Sequence, residues 1–119
     1  MGPFHDVIHD LRRPTRDLRA AIPDTWAGFS EMHRAAVADG ALPGRIKELI
    51  ALAIATATGC DGCIAYHARA AAITGATESE AAEALGVALL MAGGPASVEA
   101  PRALEAFREF QAALVPAAG

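Results

Sequence analysis

Aromatic residues are scarce: four Phe, one Tyr and one Trp make 5% of the 119 residues. The hydrophobic share is nonetheless 53%, so the apolar mass is Ala, Leu, Ile and Val. Ala favours helices and is depleted in strands, which argues against a sheet-built core and predicts an all-α fold. Positive charge is also short. Ten basic residues against fourteen acidic give a net charge of −4, which sets aside a nucleic-acid partner held through its phosphates. Long apolar runs are missing too. The uncharged apolar run Leu49 to Gly59 falls short of the about 20 residues that cross a bilayer, as does the uncharged stretch after Glu83. The first residues, Met1-Gly2-Pro3-Phe4-His5-Asp6, have neither the basic start nor the apolar stretch of a signal peptide. Asp6 also breaks the myristoylation pattern. The expectation is a soluble, cytoplasmic chain that no membrane holds.

Cysteine is the last scarcity. Both copies lie in Gly59-Cys60-Asp61-Gly62-Cys63-Ile64-Ala65-Tyr66-His67. In a reducing compartment, two cysteines spaced this way point to catalysis or metal binding rather than a permanent staple.

At this length the chain is expected to be one domain, residues 1–119, with its own core. About six helices can be read along it. Residues 5–21 form an amphipathic helix disturbed by Pro14 and ended by Pro23; His5 and His9, four apart, read as surface histidines rather than a metal pair. A second helix runs from Asp24 or Thr25 to Asp39, with Trp26, Phe29, His33, Ala36 and Val37 at helical spacing and Gly40 as its stop. His33 on that stripe reads as a core-edge histidine. The third, opened by Leu42-Pro43-Gly44-Arg45 and reaching Thr58, is apolar on every side except at Glu48. It is therefore expected to be buried all round, which leaves Glu48 in need of a partner. Gly59 breaks it. The fourth helix runs from Cys60 or Asp61 to Thr74, where Gly75 fits the stop. Thr77-Glu78-Ser79-Glu80 is a capping box that opens the fifth, and Gly93-Gly94-Pro95 turns the chain. Pro101 is expected to open the sixth helix, and Val115 to Gly119 to form a frayed tail. The third and fifth helices carry apolar residues on two faces, more than one small bundle buries, so a homo-oligomer is expected.

At about 100° per residue, Cys60, Cys63 and His67 share one helical stripe roughly 60° wide, and Tyr66 points elsewhere. A helix N-terminus, a neighbouring thiol and an imidazole one turn on all favour a thiolate, while the Asp61 charge opposes it. His67 beside Cys63 is the general-base arrangement that activated thiols use. Glu48, from the preceding helix, is the candidate to orient His67 or relay its proton. Haem attachment is excluded, because Ile64 rather than His follows Cys63. A thioredoxin-like domain would need strands. Structural zinc would need a fourth ligand beside Cys60, Cys63 and His67; that reading and plain packing stay open as minor ones. The motif itself requires no cofactor and no metal.

Glu48, eleven residues, Cys60-x-x-Cys63, three residues and His67 together resemble the signature of the alkyl hydroperoxidase D-like (AhpD-like) family. This all-helical family belongs to the carboxymuconolactone decarboxylase superfamily. Leu42-Pro43-x-Arg45-x-Lys47-Glu48-Leu49, Thr77-Glu78-x-Glu80 and Met91-Ala92-Gly93-Gly94 fit the same pattern. The resemblance covers about residues 24–110, with its motif core over 43–94. It implies a thiol-dependent hydroperoxide reductase in which Cys63 attacks the peroxide. Cys60 would supply a proton and close the disulfide, and Glu48 and His67 would form the proton relay. It further implies a hydroperoxide substrate and an external dithiol reductant, thioredoxin-like or lipoylated. The helix dipole by itself favours Cys60 as the more acidic thiol, whereas His67 favours Cys63. Some family members carry His between the cysteines, where this chain has Gly62. Others join two related halves, and similar single-unit proteins are trimers or hexamers. A lactone decarboxylase like the superfamily's namesake, and a redox-sensing or zinc-binding helical oligomer without enzymatic activity, remain the alternatives.

Overall fold

The computed structural model describes residues 1–115, and those residues form six helices and, among them, no strand. The chain runs α1 (Pro3–Ala21), α2 (Pro23–Val37), α3 (Gly44–Thr58), α4 (Asp61–Ile73), α5 (Glu78–Ala92) and α6 (Gly94–Ala113). The all-α expectation holds. The expected frayed tail lies outside the described residues beyond Val115.

Helix α4 is central, packed between α3, α6 and α1. Its inward face is Ile64, Ala65, Ala68, Ala71 and Ala72, all buried. Side chains this small let neighbouring helices approach closely, and the bulk comes from the partners: Leu49 and Leu52 of α3, Phe107 and Phe110 of α6, and Phe4 and Ile8 of α1. The scarce aromatics are thus concentrated where one ring fills space against several alanines.

Local chemistry sets most boundaries. Thr77 and Glu80 make the reciprocal capping box, with Oγ1 accepting from Glu80 N at 3.1 Å and Glu80 Oε1 from Thr77 N at 3.0 Å. Gly59 sits at φ 70°, and Cys60 N reaches back to Ala55 O at 3.1 Å. This left-handed end satisfies the last carbonyls of α3. Pro23 occupies the first turn of α2 rather than merely ending α1, a position where its missing N–H costs nothing. α2 stops at Val37, two residues before the expected Asp39, because Asp39 Oδ1 accepts from Gly44 N at 2.6 Å at the start of α3.

Three expectations need correction. Pro101 does not open α6: that helix starts at Gly94, with Pro95 in its first turn and Pro101 inside. The proline is tolerated because it is exposed and the carbonyl it leaves unbonded belongs to Ser97, also exposed. α3 is not buried all round. Its buried line is Glu48, Leu49, Leu52, Ala55 and Thr56, while Ile50 and Ile54 are 45% and 59% exposed. Among the described residues no helix covers its second apolar face, which borders an open groove of about 530 Å³ shared with Ala84 and Val87 of α5. Finally, the apolar stripe on α2 is no core face, since that helix contains no buried residue.

Candidate functional site

The turn Gly59-Cys60 joins the end of α3 to the start of α4, and this junction places the sulfurs. Cys60 is the N-cap of α4, in extended conformation, and its Sγ accepts from Cys63 N at 3.2 Å. Cys63 lies one turn into the helix, and the two cysteines form a disulfide. Cys60 is half-buried and Cys63 exposed.

Glu48 has the partner that its buried helix demanded. Its Oε2 lies 2.8 Å from His67 Nδ1. The carboxylate side chain is 5% exposed and the imidazole 22%, so the pair runs from the interior towards the surface. Among the described residues no buried side-chain nitrogen or oxygen lacks a hydrogen-bond partner, and for Glu48 that partner is His67. α3 thus delivers the carboxylate, and α4 with its N-cap delivers both cysteines and the imidazole.

Other side chains join the site without a local sequence signal. Val7, Asp10, Leu11 and Thr15 of α1 and Tyr66 of α4 wall a cleft of about 600 Å³ over Cys60, Asp61, Gly62 and Cys63. Tyr66 therefore does not point away from the cysteines; it follows Cys63 by three residues and borders the same opening. Gly62 admits the helix above it. A Cβ there would meet Leu11 Cδ1 at 2.9 Å, so the space beside this position is taken up by α1. Asp61, expected to oppose a thiolate, is paired with Arg102 of α6 at 2.6 Å. Both partners are about half exposed, so the pair softens the Asp61 charge without burying it. No periodicity links residues 61 and 102.

His33 is not at the edge of the core. It is exposed on α2, with its ring centroid 6.0 Å from that of His67. His5 is not a free surface histidine either. Its ring packs 4.4 Å from Phe110, and its Nδ1 lies 2.5 Å from Glu109 Oε2. His9 is exposed, as expected.

The comparisons with known proteins agree with this architecture. The family model described as carboxymuconolactone decarboxylase family matches residues 23–107. The chain is 42% identical to the apo form of a carboxymuconolactone decarboxylase family protein from Legionella pneumophila, whose crystal structure superposes with a TM-score of 0.88 over 91% of this chain and 96% of that one. It is 37% identical to an uncharacterized protein of Cupriavidus necator, over 88% of this chain and 93% of the relative. It is 39% identical to uncharacterized protein 4 in the cox locus of Paracoccus denitrificans, over 79% and 82%. With the family model spanning most of the helices and the Legionella fold matching nearly end to end, the chain belongs to the carboxymuconolactone decarboxylase family.

Proposed function

We propose that the chain is a thiol-dependent hydroperoxide reductase that cycles Cys60 and Cys63 between dithiol and disulfide. The observation that carries this reading is the buried Glu48 hydrogen-bonded to His67 on the helix that also bears the disulfide. A carboxylate held in the interior by one imidazole, beside two sulfurs at a helix N-terminus, suits moving protons to and from thiols.

In the reduced protein the Cys63 thiolate attacks the distal peroxide oxygen. The O–O bond breaks, Cys63 becomes a sulfenic acid, and the alkoxide leaves as an alcohol after taking a proton from the Cys60 thiol. Cys60 sulfur then displaces water from the sulfenic acid and closes the disulfide. Two electrons have passed from the dithiol to the peroxide. An external dithiol returns them, becoming a disulfide itself. His67, set by Glu48, removes the Cys63 proton at the start and gives it to the departing hydroxide, which leaves as water when the disulfide closes. The exposure of Cys63 and the half-burial of Cys60 support these roles. During reduction, the incoming thiolate attacks the accessible Cys63 sulfur. The departing Cys60 thiolate is then received by the Cys63 N–H and the end of the helix dipole.

Peroxide consumption with dithiothreitol, or with a thioredoxin-like or lipoylated carrier, tests the cycle. Cys63→Ser is expected to abolish turnover, and equal rates in variant and wild type sink the reading. Carbon dioxide release from a lactone by a Cys60→Ser/Cys63→Ser variant would favour the decarboxylation in the family's name instead. We further propose that a second copy of the chain covers the exposed Ile50, Ile54, Val87 and Leu90, and sedimentation velocity measures that directly.

A further inference from the structure

Packing α2 against α1 and α3 brings a third side chain, His33, to Glu48 and His67 that the peroxide cycle does not use. His33, Glu48 and His67 each offer one donor atom, and these atoms lie within 4.8 Å of one another. We propose that the three side chains hold a divalent transition-metal ion of the zinc class.

The donor set fits such an ion. Two imidazoles and one carboxylate are borderline ligands, and three protein donors with one position left to water is a recurring zinc arrangement. The spacing fits after a small movement. Donors around tetrahedral zinc stand about 3.3 Å apart when each bond is 2.0–2.1 Å, so the widest gap must close by about 1.5 Å. The structure assigns that movement to His33. Glu48 is 4% exposed on a helix with a buried face, and His67 is held by Glu48. His33 is exposed on a helix with no buried residue, so its side chain and backbone are the freest of the three. An ion here would also give α2 a firm tie to the core that its packing does not supply.

Resting on the proposed peroxide cycle, one consequence follows: an ion that occupies Glu48 and His67 withdraws both from proton transfer and silences the dithiol. The binding itself does not depend on that cycle. It is tested on tag-free protein in the disulfide form, where neither sulfur can act as a thiolate ligand. Titration calorimetry with zinc chloride is expected to show one ion per chain. His33→Ala is expected to bind at least tenfold more weakly and His9→Ala to bind as wild type does. Cobalt(II) should give visible ligand-field bands with wild type that His33→Ala lacks, and zinc should raise the melting temperature of wild type and His9→Ala but not that of His33→Ala. His33 is exposed, so its loss leaves the fold standing and the comparison interpretable. Absence of saturable binding below millimolar zinc, or equal affinity in His33→Ala, overturns the proposal. Either result leaves the peroxide cycle to be judged by its own assay.

Discussion

Glu109→Ala should loosen the first turn of α1 by an amount that the structure lets one estimate. The Glu109 carboxylate accepts from Phe4 N at 3.2 Å, from His5 N at 2.7 Å, and meets His5 Nδ1 at 2.5 Å. Its side chain is 13% exposed, so water competes poorly for these bonds. Hydrogen bonds to a charged group contribute about 1.5–3 kcal/mol. The bonds share one carboxylate and the freed N–H groups at the helix start can turn to water, so about 2 kcal/mol is expected for the set. For 119 residues, with an unfolding entropy of about 2.1 cal/mol/K per residue, that loss lowers the melting temperature by about 8 °C. Phe4 and Ile8 stay buried, so α1 remains docked and only its start frays. Burial pushes the Glu109 carboxyl up, but hydrogen bonds from the His5 backbone, the His5 ring and the Phe4 backbone outweigh it and hold the pKa below the usual glutamate value. A lowered pKa in the folded state stabilises above the unfolded value and is lost as pH falls through the folded one. The deficit of Glu109→Ala should therefore be full at neutral pH and shrink on acidification below the glutamate range. Urea unfolding across pH, with amide hydrogen exchange over residues 3–8, measures both. A deficit under about 0.5 kcal/mol, or one that grows on acidification, would refute the reasoning.

Two further substitutions probe how the cysteine turn is built. Gly59→Ala forces a Cβ into a left-handed conformation (φ 70°) and should cost about 1–2 kcal/mol; an unchanged chemical-denaturation midpoint would contradict the left-handed junction. Gly62→Ala gains helix propensity but meets Leu11 Cδ1 at 2.9 Å, so alone it should change stability by under about 0.5 kcal/mol. In a Leu11→Ala background the same change should stabilise by about 0.5–1 kcal/mol, and an equal effect in both backgrounds would show that α1 does not press on this residue.

Where a signal was local, the sequence carried it. The capping box at Thr77, the stop at Gly59 and the helical spacing of Cys60, Cys63 and His67 each follow from residues within a turn or two of one another. Glu48 was legible for a different reason: a lone charge in an apolar run needs a partner wherever it folds. The misreadings share another cause. Pro101 looks like a helix start because nothing in the sequence says that Ser97 will face water. The second face of α3 looks buried because a sequence does not say how many helices will surround it. Contacts such as Asp61 with Arg102, His5 with Glu109 and His33 with His67 join distant positions through tertiary packing, and no periodicity reports them.

The alanine face of α4 has a mechanical consequence. Ala65, Ala68 and Ala71 are wholly buried, and a helix seated mostly on methyl groups, with Ile64 its one larger buried side chain, has little to re-rotamer when its end is disturbed. Close-packed interiors transmit strain rather than absorb it, so the inner side of α4 acts as an anvil beneath the disulfide. In the proposed cycle, opening and closing that bond would be accommodated above Gly62, where α1 reaches over with the flexible end of Leu11. On that proposal the redox state is written in the position of Leu11 over Gly62, while Phe4 and Ile8 keep α1 seated on a core that serves as the fixed reference.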